Sequence, residues 1–326
     1  MSWFPEDEHR STNRFTKFCA NVLKCGAIPK HVAFIMDGNR RFARKSSLER
    51  QEGHIKGFEK LTETLEWCLD LGITEVTVYA FSIENFKRSK EEVSGLMELA
   101  RQKFEKLLEE KKMIQKYGVC IRVLGDIDLL PNDVKRAVAE AVNFSKHNNR
   151  AILNVCFAYT SRHEISNAIK EMALGVEEGF LRPSDVSEEL LEKCLYTGKS
   201  PNPELLIRTS GEVRLSDFLL WQTTFSVLSF VKVLWPEFSV WHLFAAVLHY
   251  QRNYEQIQKT KQQNQETVEE RQRESDHQCV LEDYKNCSDL ESKIQLYAKQ
   301  REQRIQTFLN HLDEKHSKYL DSILGV

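Results

Sequence analysis

Asp37, Gly38, Asn39, Arg40 and Arg41 stand in a row, and their types converge on one chemistry. A carboxylate can hold a hard divalent cation, glycine lets backbone approach a ligand closely, and paired guanidinium groups match phosphate oxygens. The plainer alternative is a strand-to-helix turn, with Asn39 capping the helix and both arginines in solvent. The residues just before decide how much weight the first reading takes. Val32 to Met36 are an apolar run of strand type, so the polar group stands at the end of a buried strand.

The same juxtaposition recurs along the chain. Ser82, Glu84, Asn85 and Arg88 follow a second strand-like run, Gly125 and Asp126 a third, and Tyr159, Ser161 and Arg162 a fourth. A fifth run leads into Arg208-Thr209-Ser210-Gly211-Glu212, with Arg214 and Ser216 just beyond. Arginine, small hydroxyls and glycine at successive strand ends suit phosphate, and more than one of them. No G-x-G-x-x-G follows a strand and no G-x-x-x-x-G-K-[ST] is present, which argues against nicotinamide and P-loop chemistry. His163-Glu164 opens what would be a zinc helix, but Asn167 stands where its second histidine belongs, so the pair reads as structural. Asp37 as a phosphoryl nucleophile lacks a second carboxylate two residues on.

The elements that position these residues read as alternating strands and helices, with strands at 32–36, 75–81, 119–124, 151–158, 205–209 and 225–230. Phe58, Leu61, Leu65 and Leu69 set a helix over 54–71 that stops at Gly72. Ser89 and Glu92 form a capping box for a helix running through Val93, Leu96, Ala100, Phe104 and Leu107 towards Gly118. Further helices fit 131–147, 161–178 and 186–195. This order predicts an α/β fold, a mostly parallel six-stranded sheet flanked by helices. Ligands in such sheets bind beyond the carboxyl ends of the strands, which is where the polar clusters lie.

The expected organisation is an N-terminal amphipathic helix over 1–26, the sheet domain over 27–250 and a C-terminal helical hairpin over 251–326. Phe15, Phe18, Val22 and Leu23 share one face of the first helix, with Trp3 and Phe4 ahead of it. That face suits the membrane interface, or packing on the domain. In the hairpin, Ser288 and Glu291 offer a second capping box after a break near 286–288. Ile305, Phe308, Leu312, Tyr319 and Ile323 make an apolar stripe that suits self-association, or an arm folded back on the domain. A net charge of −2 gives no general attraction to nucleic acid or anionic membrane, so any anion site is local. The eight cysteines include no C-x-x-C pair and suit reduced thiols in a cytosol-facing protein. No apolar run approaches the roughly 18 residues of a membrane span.

HVAFIMDGNRRFA, GHIKGF, YAFSIENFKRS and IRTSGEVRLSDFLLWQ, in that order, resemble the motif blocks of the cis-prenyltransferases, the undecaprenyl and dehydrodolichyl diphosphate synthases. The resemblance covers about 27–250. The wording MDGNRR, the VLWPEF segment and the helical tail look like catalytic subunits of the eukaryotic dehydrodolichyl branch. It implies repeated addition of isopentenyl diphosphate to farnesyl diphosphate, giving dehydrodolichyl diphosphate, precursor of the dolichol glycosyl carrier. It also implies an apolar tunnel for the product along the helices at 54–71 and 91–112. Asp37 would hold Mg²⁺. Gly38, Asn39, Arg40, Arg41, Arg50 and His54 would bind the allylic diphosphate, and Ser82, Arg88, Arg208, Arg214 and Ser216 the isopentenyl diphosphate. Asn85 would act beside the reacting carbons. His54 as a buried structural residue stays open.

Two departures from the bacterial pattern stand out. Val227 occupies the position of a glutamate metal ligand, and the C-terminal LDSILGV lacks an Arg-x-Gly element. The expected metal shell is therefore incomplete. A second subunit of the Nogo-B receptor type would complete it and hold the pair, as a hetero-oligomer, at the cytosolic face of the endoplasmic reticulum. The alternatives are a non-catalytic scaffold subunit and a Mg²⁺-dependent phosphohydrolase.

Overall fold

The computed structural model describes residues 14–109, 111–283 and 290–325. Six strands form a single sheet: β1 (His31–Ile35), β2 (Glu75–Ser82), β3 (Val119–Leu124), β4 (Ala151–Tyr159), β5 (Leu205–Arg208) and β6 (Val227–Phe230). Their order is β3-β4-β2-β1-β5-β6 and every pairing is parallel. The flanking helices are α1 (Arg14–Leu23), α2 (Asn39–Lys45), α3 (Arg50–Leu71), α4 (Lys90–Glu109), α5 (Lys111–Tyr117), α6 (Asn132–Ser145), α7 (Ser161–Glu177) and α8 (Glu188–Cys194). Two long helices follow, α9 (Val240–Asp283) and α10 (Leu290–Leu324).

Continuous apolar runs make strands that are buried along their length, and all five residues of β1 are buried. The centre of the sheet is also where the topology reverses. From β1 the chain moves to β2 on one side, while from β5 it moves to β6 on the other. The crevice between the carboxyl ends of β1 and β5 is thus the switch point at which such sheets bind ligands. At the opposite ends of the strands a buried polar network ties the sheet together. His31 donates from Nδ1 to Pro201 O at 2.6 Å and accepts at Nε2 from Thr77 Oγ1 at 2.7 Å. Asn154 donates to Glu75 Oε1 at 2.6 Å. Burial holds the His31 pKa below its ordinary value, which keeps the ring neutral.

Gly72 ends α3 with φ of 86°, as its position predicts. The helix itself starts at Arg50, earlier than the apolar spacing indicates, because Glu49 and Glu52 form a capping box. The helix α2 has no apolar periodicity to announce it. α9 begins at Val240, well before the change in composition at 251, because Leu243, Val247 and Tyr250 continue the buried stripe.

The chain divides into two compact units. Among the described residues, the first holds the whole sheet, with 14–161, 201–254 and 323–325. The second holds 162–200 and 255–322, so α8 and most of α7, expected within the sheet domain, belong with the C-terminal helices. Within it Ile305 and Phe308 are buried against Met172, Leu181 and Leu190. That part of the stripe expected to drive self-association is thus already covered within the chain. Glu164 accepts from the Tyr196 amide at 2.9 Å, a structural role. The 286–288 break and the Ser288–Glu291 box involve residues outside the described ones, as do Trp3 and Phe4. Phe15, Phe18 and Val22 on α1 are exposed. Among the described residues, no helix is long and apolar enough to cross a membrane.

Candidate active site

Asp37 lies just beyond β1, and its backbone is fixed by neighbours that the motif does not include. Thr209 Oγ1 donates to Asp37 O at 2.8 Å and accepts from Asp37 N at 3.1 Å, while the Trp235 amide donates to Asp37 O at 3.0 Å. Gly38, not Asn39, caps α2, with φ of 112° and no side-chain hydrogen bond. A Cβ at Gly38 would meet Leu234 at 3.0 Å besides being strained.

Asn39 instead lays its side chain on α3. A Cβ at Gly57 would lie 2.8 Å from Asn39 Cγ, and one at Gly53 would lie 2.6 Å from Asn39 O. The two glycines of Gly53-His-Ile-Lys-Gly57 fall on one face of α3 and admit the first turn of α2. Trp235 Nε1 donates to Gly57 O at 2.7 Å and closes the same joint. Asn39 Oδ1 is buried with no hydrogen-bond partner.

The guanidinium groups converge as the sequence indicates, but they do not wait empty. Arg208 is 3% exposed; Nη2 donates to Asp37 Oδ2 at 2.9 Å and Nη1 to Ser216 Oγ at 2.7 Å and to Arg214 O. Asp37 is therefore also a structural counter-charge, since it neutralises a buried arginine. Arg41 lies 3.5 Å from Asp37 Oδ1 and 3.5 Å from Glu212 Oε1, and Arg214 pairs with Glu212. Ser216 adopts φ of 52°, held by Arg208 and by Tyr79, whose hydroxyl donates to Ser216 O at 3.3 Å.

Glu92 gathers the remaining three. Its carboxylate lies 2.9 Å from Arg88 and 3.8 Å from each of Arg40 and Arg50. Only half of the predicted capping box forms: the Glu92 amide donates to Ser89 Oγ at 3.3 Å, while the carboxylate serves the arginines. His54 stands in the same group. Burial, with help from the Arg88 charge, brings it down to about 4, so it is neutral at pH 7, and its Nε2 is buried without a partner. Burial and the charge of Arg40 also lower Arg88.

Ser82 and Asn85 lock each other. Ser82 Oγ accepts from Glu84 N at 3.2 Å and Asn85 Oδ1 accepts from Ser82 N at 3.1 Å, around the single turn Ile83–Lys87. With its oxygen committed, Asn85 offers donors rather than a base.

Burial would raise Asp37, but the Arg208 hydrogen bond and the charges of Arg208 and Arg41 outweigh it and hold the carboxyl below its ordinary value. An ionised, half-buried carboxylate fits one ligand of Mg²⁺. Among the described residues no cluster of three metal-binding side chains is present, so phosphate oxygens and water would complete the shell. Val227 does not leave a gap beside Asp37. It pairs with Leu205 at the start of β6, while Arg208 pairs with Phe230 at its end. At about 3.3 Å per residue the offset along the strand is roughly 10 Å, so a glutamate there could not share an ion with Asp37 of the same chain.

Glu92, Glu212, Thr209 and Trp235 hold parts in the site that their place in the sequence did not assign to them. Glu92 and Glu212 were visible as acids flanked by arginines at helical or loop spacing. Thr209 and Trp235 carry no such signal, because they act through backbone contacts.

The family described as "Putative undecaprenyl diphosphate synthase" matches residues 35–258. The dehydrodolichyl diphosphate synthase complex subunit DHDDS of Homo sapiens is 56% identical over 98% of both chains. The geranylgeranyl-diphosphate-specific tritrans,polycis-undecaprenyl-diphosphate synthase of Pyrococcus abyssi is 49% identical over 69% of this chain and 84% of its own length. The crystal structure of lavandulyl diphosphate synthase from Lavandula x intermedia, in complex with dimethylallyl diphosphate, superposes with a TM-score of 0.65 at 34% identity. It covers 69% of this chain and 95% of its own. With four motif blocks in order on a switch-point crevice lined by arginines, the chain belongs to the undecaprenyl diphosphate synthase family of cis-prenyltransferases.

Proposed function

We propose that this protein is the catalytic subunit of a dehydrodolichyl diphosphate synthase, adding isopentenyl units to farnesyl diphosphate. The observation that carries the reading is the gathering of Arg40, Arg41, Arg50, Arg88, Arg208 and Arg214 around Asp37, Glu92 and Glu212. Two diphosphates side by side need that much positive charge.

Arg40, Arg41, Arg50 and neutral His54 bind the allylic diphosphate. Gly38 and Asn39 shape the turn that presents the first two. Arg88, Arg214, Ser82 and Ser216 bind the isopentenyl diphosphate, with Arg208 holding Ser216 and Asp37 in place. As the allylic C–O bond breaks, charge grows on the departing pyrophosphate, and fixed guanidinium groups stabilise it without reorganising. The isopentenyl double bond then joins the allylic carbon, and one proton is lost. Asn85 orients the acceptor through its N–H donors, and the pyrophosphate takes the proton. Asp37 would hold Mg²⁺, which supplies further neutralisation of the diphosphate charge. The apolar faces of α3 and α4 line the path of the growing chain.

The human relative is called a complex subunit. A Nogo-B receptor-type second chain, in a higher hetero-oligomer at the cytosolic face of the endoplasmic reticulum, is part of the reading. The exposed Phe15, Phe18 and Val22 of α1 suit peripheral contact with that membrane. A scaffold subunit is less favoured because it leaves the converged arginines without a use, and a phosphohydrolase because the similar proteins at 56% and 49% identity are named as prenyl diphosphate synthases. Incorporation of radiolabelled isopentenyl diphosphate, with and without farnesyl diphosphate and partner, tests the reading. Incorporation that requires both diphosphates supports it. Hydrolysis of simple phosphates without incorporation overturns it.

A further inference from the structure

Glu92 is the one acid in the first turn of α4 that turns away from the helix it opens. Its side chain is 8% exposed and three guanidinium groups surround it. Burying a carboxylate is costly, and the helix needs only the Ser89 hydroxyl and the Glu92 amide for its start. The carboxylate therefore answers to the arginines. Arg40, Arg50 and Arg88 carry three positive charges and Glu92 removes one, leaving a net charge of +2 beside neutral His54.

We infer that Glu92 is a counter-charge positioning residue, standing where a phosphate would stand and setting how tightly pyrophosphate is retained after each addition. The inference rests on the prenyl-transfer reading, in which pyrophosphate must leave this site once per cycle. A full set of uncancelled arginines would bind substrate and product equally tightly. Such uniform binding does not lower the chemical barrier, and it slows release. One fixed carboxylate weakens both while keeping Arg88 aligned through the 2.9 Å contact.

Glu92→Gln keeps an oxygen that can accept from Arg88 and deletes only the charge. Calorimetric titration of inorganic pyrophosphate into the purified complex should show binding about tenfold tighter than wild type, the scale of one unit charge in a partly screened site. The gap should narrow at high salt. In steady-state elongation, KM for farnesyl diphosphate and kcat should fall together. Glu92→Ala, which also frees Arg88, should bind pyrophosphate more weakly than Glu92→Gln. If Glu92→Gln is poorly folded, the Arg50→Gln/Glu92→Gln double variant restores the net charge and should return to near wild-type affinity. Unchanged or weaker pyrophosphate binding in folded Glu92→Gln overturns the inference, as does a double variant that binds as tightly as Glu92→Gln. The titration needs no prenyl transfer. An inactive wild type would thus refute the functional reading while leaving the counter-charge measurable.

Discussion

Replacing Gly57 with alanine adds one methyl group at the joint between α2 and α3. The new Cβ would lie 2.8 Å from Asn39 Cγ and 2.9 Å from Nδ2, too close for either to stay. Overpacking of this kind costs about 1–3 kcal/mol, while alanine in a helix interior returns about 1 kcal/mol relative to glycine. Net stability should thus fall by about 2 kcal/mol at most. Activity should suffer more, because Asn39 carries Arg40 and Arg41 with it. A displacement near 1 Å can cost on the order of 100-fold in turnover. Gly95→Ala, in α4, is the comparison, since nothing lies within 4 Å of its added Cβ. It should gain about 0.5–1 kcal/mol. Thermal unfolding and kcat/KM for isopentenyl addition, measured on both variants, decide the matter. Wild-type activity in Gly57→Ala, or a stability gain like that of Gly95→Ala, would refute the argument.

Arg208→Lys should lose both activity and about 3 kcal/mol of stability by chemical denaturation, since an ammonium cannot bridge Asp37, Ser216 Oγ and Arg214 O, and Asp37 is left poorly compensated. Thr209→Val, nearly the same shape, should cost about 1–3 kcal/mol and lower turnover by unfixing the Asp37 backbone. His54 gives a pH dependence. Its folded pKa of about 4 lies below the unfolded value near 6.5, so the unfolded chain binds more protons in between and stability falls as pH drops through that window. His54→Gln should flatten that part of the stability curve relative to wild type, with about 3 kcal/mol as the upper bound. A curve of unchanged slope would show that the ring is not buried as described.

The sheet was legible because its strands are continuous apolar runs bounded by turn residues, and β1 to β5 fall within a residue or so of their expected ends. The arginines were legible too, because the ends of parallel strands converge at one edge. What escaped depends on packing across the fold. α2 has no apolar stripe, so only the glycines of α3 that it rests on betray it. Glu92 looks like half of a capping box until Arg40 and Arg50 arrive from other elements. Val227 looks like a missing ligand until strand register puts it at the far end of β6. The grouping of 162–200 with the C-terminal helices rests on contacts such as Phe308 against Gly175, which no local pattern reveals.

The most direct measurement is isopentenyl incorporation by Asp37→Asn alongside wild type, with folding followed on the same samples. Wild type should yield long cis-prenyl products, dependent on farnesyl diphosphate. The variant should incorporate almost none and unfold more easily, because Arg208 loses its charge partner. Undiminished incorporation by folded Asp37→Asn would contradict it.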